Sequence, residues 1–174
     1  MTPKSIPIGA PGWDATKPLE SFKAFAAAVR AKARQIVVAQ GHHAEMVFFM
    51  PLSGQGEAVP WVGDDREAQA KWMRRYIKER YAYGVVHVCE GWVRFAETGP
   101  NDHTLKQVIA GEIRVSELNP EDRREVLTVT VQTRDGYSHT WMDEMVRAAG
   151  SDVVCLGKCH DYDDFEGRFG QLFG

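Results

Sequence analysis

Few residues in this chain combine a reactive side chain with a spacing that could do chemistry, and Glu90 is the most informative of them. Within the apolar stretch 85–95 it falls on the same two-residue period as Val86, Val88 and Trp92. On a strand those side chains share one face. An unpaired carboxylate there is costly, so Glu90 needs a cationic partner or a raised pKa. The structural reading, which is preferred, is an ion pair with Arg123 or Arg124. The chemical reading is a general acid/base or a ligand-contacting carboxylate, as in a small hydrolase or nuclease. His87 falls on the opposite face, which disfavours a Glu90–His87 catalytic pair along this strand.

Cys155, Cys159 and His160, followed by Asp161, Asp163 and Asp164, are of zinc-ligand types. Their Cys-x-x-x-Cys spacing has no matching distal pair, and His42 and His43 could join them only through the fold. The expectation is therefore no metal and no cofactor, with Cys155 and Cys159 as ordinary thiols. No phosphate loop, dinucleotide fingerprint, Gly-x-Ser-x-Gly or His-Glu-x-x-His pattern occurs. Lys71, Arg74, Arg75, Lys78 and Arg80, with Tyr76, Tyr81 and Tyr83 interleaved, could track a single strand of nucleic acid. The plainer reading is a solvated helix face. A net charge of −3 also argues against a nucleic-acid footprint.

These side chains must be held by elements that the pattern of apolar residues outlines. Residues 1–17 contain three prolines and two glycines and read as an irregular arm. From Pro18, apolar residues at helical spacing (Leu19, Phe22, Ala26, Val29, Ala33, Val37) predict a helix that stops at Gly41. A buried strand is predicted over 44–52 and a weaker one over 57–62. Asp64 and Glu67 resemble a capping box that opens a second helix, with Trp72, Met73, Tyr76 and Ile77 as its buried stripe and Gly84 as its close. The stretch 85–95 is apolar on both alternating faces and reads as a central strand. Residues 96–122 mix helical spacing with β-branched content and read as an excursion ending in a turn.

Two alternating runs, 125–134 and 137–146, flank Asp135-Gly136. That pair predicts a two-residue hairpin of type I′. The register then sets Gln132 opposite His139, Thr130 opposite Trp141 and Thr128 opposite Asp143. It leaves Trp141 and His139 on a half-wet face and Val129 and Val131 on the core side. A last short strand is expected over 153–157. In the acidic tail, Phe165, Phe169 and Phe173 recur every four residues beside Leu172. On a helix they form one stripe. Its expected seat is the face carrying Trp141 and His139, or else a second copy or another protein.

The expected fold is α+β: a mainly antiparallel sheet of five or six strands with two main helices, in the order α-β-β-α-β-β-β. The divisions are an arm over 1–17, one domain over 18–160 and a tail over 161–174. The element order is similar to that of roadblock and profilin-like folds. The strand ending Glu90-Gly91-Trp92 resembles one ending Glu-Ala-Trp in a set of bacterial and phage proteins. The segment 116–127, containing Pro120, Arg123, Arg124 and Glu125, resembles their Pro-x-Arg-x-Glu segment before a hairpin. Gly91 stands where that set has Ala. The resemblance implies a shared fold and supplies no activity.

The length, 174 residues, is enough for a core without staples, and 44% hydrophobic with 26% charged content is ordinary for a globular chain. Three cysteines read as reduced thiols. No apolar run approaches the roughly 18 residues of a membrane helix, and the first residues lack a signal pattern. The expected location is the cytoplasm of a bacterium or host cell. The expected function is a non-catalytic protein-interaction or accessory module of bacterial or phage origin. Its partner would be a protein or a second copy of the chain, with no membrane and no nucleic acid.

Overall fold

In the computed structural model, which describes residues 4–63, 65–95, 103–163 and 170–173, both expected helices form, but only the first runs between its expected signals; the second ends at Glu79 instead of Gly84, which lies within the following strand. Helix α1 (Pro18–Gln40) carries proline in its first turn, and Gly41 ends it at φ 79°, donating its N–H to the Val37 carbonyl at 2.8 Å. Glycine adopts that left-handed backbone without a Cβ penalty. The expected cap of the second helix, Asp64, lies outside the described residues. Asp65 caps α2 (Arg66–Glu79) instead, its carboxylate accepting the Ala68 N–H at 2.9 Å.

Among the described residues, seven strands form one antiparallel sheet: β1 (Ile6–Gly9), β2 (Met46–Pro51), β3 (Gln55–Pro60), β4 (Ala82–Val93), β5 (Arg124–Thr133), β6 (Ser138–Arg147) and β7 (Val154–Asp163). Their spatial order is β1-β3-β2-β4-β5-β6-β7. The class is α+β with an antiparallel sheet, as expected. The sheet is larger than the expected five or six strands for two reasons. The arm supplies β1, where Ile6 pairs with Ala58 and Ile8 with Gly56. Strand β7 runs to Asp163, so Asp161 and Asp163 belong to the sheet rather than to a tail. The described part of the excursion holds a short third helix, α3 (His103–Ile109), and two 3-10 turns at Val115–Glu117 and Pro120–Asp122. Among the described residues no helix is long and apolar enough to cross a membrane.

The helices cover opposite faces. Phe22, Ala26, Ala33 and Val37 of α1 pack on Val86, Val88, Leu127, Val129 and Val131. Met73, Tyr76 and Ile77 of α2 pack on Val47, Phe49, Val59 and Val85. Strand β4 lies under both helices, which is why its first eight residues are buried without alternation. Gly84 in β4 admits the Phe22 ring; a Cβ there would sit 2.4 Å from a ring carbon.

The hairpin forms, but its loop holds three residues rather than two, and this overturns the expected register. The Thr133 N–H donates to the Tyr137 carbonyl at 2.9 Å, and the Gly136 N–H to the Thr133 carbonyl at 3.2 Å. Gly136 takes φ 89°. This is a tight turn followed by a left-handed residue, the usual three-residue loop. Side chains favour it. Asp135 accepts from the hydroxyl of Thr133 and, at 2.7 Å, from Tyr83, while Thr133 Oγ1 accepts the Tyr137 N–H at 3.1 Å. Thr128 now faces Met142, Thr130 faces Thr140 and Gln132 faces Ser138. A slip of one residue turns every side chain over, so Trp141 and His139 join Val129 and Val131 under α1. The threonines lie on the α2 face, where Thr140 is fully buried and donates to Thr130 at 3.1 Å.

Candidate functional site

The corrected register also turns Asp143 toward α1, opposite Leu127 on β5 and Cys159 on β7. Its side chain is 0% exposed. A carboxylate so placed requires cations and hydrogen bonds. Arg30 and Arg34, one turn apart on α1, supply them. Arg30 binds side-on, Nε donating to Oδ2 at 3.1 Å and Nη2 to Oδ1 at 2.8 Å, and Arg34 Nη1 donates to Oδ1 at 2.8 Å. Arg30 Nη2 also lies 3.0 Å from Cys159 Sγ, and its guanidinium stands 5.4 Å from the centre of the Trp141 ring. Burial pulls the Arg30 pKa down, and the hydrogen bonds and charge of Asp143 reverse this and hold it above its ordinary value. Burial and the Asp143 charge push the Cys159 thiol up against the opposing pull of Arg30, so it is not an activated thiolate.

Around this cluster opens a groove of about 680 Å³. Ala27, Ala31, Val38 and Ala39 of α1 form its wall, and Trp141 and Leu156 form its floor. Val38 is an exposed apolar residue. Strand β7, beside the floor, is the last strand of the sheet, and among the described residues its outer edge pairs with no other strand. Arg34 uses only Nη1 on Asp143; its Nε and Nη2 have no hydrogen-bond partner among the described residues, and its side chain is 39% exposed.

Glu90 is half-buried on the α1 face and accepts the backbone N–H of His43, just past the end of α1. Burial and the charge of Glu125 raise its pKa, and the His43 N–H and Arg147 oppose the rise. The expected ion pair with Arg123 or Arg124 does not form. Arg124 pairs with Val93, on the face opposite Glu90, and binds the carbonyls of Glu121 and Arg123 at 3.0 Å. Arg123 lies 4.3 Å over the Trp92 ring. The nearby arginine is Arg147, which binds Glu125 at 2.7 and 2.9 Å and caps α1 through the Gly41 carbonyl at 2.8 Å. Glu90 thus fastens the turn after the helix.

Cys155 and Cys159 point to opposite faces, because β7 carries an extra residue between Leu156 (paired with Met145) and Cys159 (paired with Asp143). Among the described residues no three His, Cys, Asp or Glu side chains are grouped to hold a metal ion. On α2 the basic residues are exposed, but Tyr76 and Tyr83 are buried, which leaves only Tyr81 of the three tyrosines as a free ring. Phe165 and Phe169 lie outside the described residues. Leu172 and Phe173 pack against α2, not on the Trp141 face. Gln132 holds this segment, accepting the Leu172 N–H at 2.9 Å and donating to the Gly170 carbonyl at 2.8 Å. His139 binds Asp163 at 2.7 Å and lies 4.4 Å, ring to ring, from Trp141.

A second cluster lies under α2. His87 is 3% exposed, with Nε2 2.7 Å from Glu45 Oε1, and Gln69 donates to the same oxygen at 2.6 Å. Burial lowers the His87 pKa, but Cys89 and Glu45 outweigh it and bring it to about 9. Thiol, imidazole and carboxylate are the types of a nucleophilic triad. Here Cys89 is buried, and the arrangement is a closed polar pair between sheet and helix. Comparison with family models, curated proteins and solved structures returns no match.

Proposed function

We propose that the protein is a non-catalytic interaction module and that the groove between α1 and the β6–β7 edge is its working surface. The observation that carries this reading is the groove: about 680 Å³ of space lined by exposed alanines, Val38, Trp141 and Leu156. Exposed apolar surface of this kind is where partners bind. A hydrolase built on Glu90 is less well supported, since that carboxylate is engaged by the His43 backbone. A nucleic-acid track on α2 lacks the rings it would need.

The neutral dye Nile red tests the groove without relying on charge. It should bind at about one site per chain with a rise in fluorescence. Ala31→Trp, at an exposed position on the wall, should abolish that site without lowering the melting temperature. Absence of a saturable site, or binding indifferent to Ala31→Trp, refutes the proposal.

A further inference from the structure

The groove has a chemical direction as well as an apolar wall, and this deepens the reading just given and rests on it. Arg30 and Arg34 bring two positive charges to the single carboxylate of Asp143, so one charge is left over. Asp143 takes Arg34 end-on, through Nη1 alone. The side-on edge of that guanidinium, Nε and Nη2, is the pair of parallel donors that fits a carboxylate. Its orientation is already fixed by a buried group, so little freedom is lost when a second carboxylate arrives.

The wall from Ala27 to Ala39 spans about 18 Å at 1.5 Å per residue. This matches five or six residues of extended chain at roughly 3.3 Å each. The outer edge of β7 lies alongside with main-chain groups that no described strand uses, and an extended segment can satisfy them. Asp161, exposed and opposite Trp141 on β7, repels a carboxylate at that end of the floor.

We infer that the groove takes an extended protein segment in which one Asp or Glu is flanked by apolar side chains. The carboxylate rests on the Nε–Nη2 edge of Arg34, and the apolar side chains lie on Ala27, Ala31, Val38 and Leu156.

Selection from a displayed library of random 12-residue peptides on the intact protein, with Ala31→Trp as counter-selection, tests this. The expected winners carry an acidic residue between apolar ones and displace Nile red. Fluorescence anisotropy with one winner should show at least a tenfold loss of affinity for Arg34→Gln. The same loss should follow from replacing the peptide's Asp or Glu by its amide, with no further loss when both changes are combined. Melting curves of Arg34→Gln confirm that the variant is folded, and Ala31→Trp closes the groove without touching Asp143. Winners that displace Nile red but lack a carboxylate, or two losses that simply multiply, overturn this inference and leave the module reading intact. If nothing displaces Nile red from a groove that binds it, this inference fails. If Nile red itself has no site, both readings fail.

Discussion

Removing the Asp143 carboxylate is the most direct perturbation of the scaffold under the groove. Asp143 is fully buried and receives three guanidinium hydrogen bonds at 2.8 to 3.1 Å. Deleting one member of a buried ion pair costs about 3–5 kcal/mol. Arg30 is 20% exposed and Arg34 39%, so both freed guanidiniums can turn toward water, which brings the cost of Asp143→Ala to about 2–4 kcal/mol. In a chain of this size each kcal/mol moves the melting temperature by about 2–4 °C, so the variant should melt roughly 5–15 °C lower. Asp143→Asn keeps the shape and some acceptor capacity, and about half the loss is expected. The assay is equilibrium urea unfolding followed by circular dichroism, with unchanged m values confirming that only stability moved. A cycle with Arg30→Ala isolates the contact, and a coupling of about 1.5–3 kcal/mol is expected for a hydrogen-bonded charged pair. A loss within about 0.5 kcal/mol for Asp143→Ala, the range of exposed sites, would show that the cluster does not hold α1 to the sheet. So would strictly additive single variants.

Three further outcomes follow from the geometry. His87 keeps its proton up to about pH 9 when folded, against about 6.5 unfolded. Its contribution is therefore full below pH 6.5 and lost as pH rises through 9, with a ceiling of about 3 kcal/mol; Glu45→Gln should reduce that slope in part, since Cys89 also holds the proton, and a flat wild-type profile across the window refutes the assignment. Gly84→Ala drives a Cβ to 2.4 Å from the Phe22 ring and should cost about 1–3 kcal/mol, with part recovered by Phe22→Leu; an equal cost in both backgrounds would locate the strain elsewhere. Gln132→Ala removes two hydrogen bonds to segment 170–173 and should speed amide exchange at Leu172, whereas unchanged exchange would mean that the α2 face alone seats it.

The fold was legible wherever one local signal decides an element. Pro18 and Gly41 bound α1, and the doubly apolar run around Val86 and Val88 marks β4 because both its faces are covered. Strand β1 was hidden, since Pro7 and Gly9 read as irregular until β3 offers an edge to pair with. The hairpin was visible but its register was not. Asp135-Gly136 serves both a two-residue and a three-residue loop. Besides the local Thr133 contacts, the longer loop is held by Tyr83, some fifty residues away in sequence, whose hydroxyl binds Asp135. No reading of residues 125–146 alone contains that contact.

The same slip decided what could be seen of the site. The rule applied to Glu90, that a carboxylate on a covered strand face must find a partner, is sound. Its strongest instance is Asp143. In the two-residue register Asp143 shares the half-wet face with Thr128, where a carboxylate raises no question. In the observed register it sits on the α1 face between Trp141 and Met145, both in or against the core. There it calls for cations, and α1 offers two at a spacing of four residues. Trp141 likewise changes from an isolated exposed aromatic into the floor of a groove whose wall is the same helix. The cluster and the groove are thus one consequence of one register: the pairing of β5 with β6 brings Asp143 under α1, Asp143 orients Arg34, and Arg34 gives an otherwise apolar groove its preference for an acidic partner.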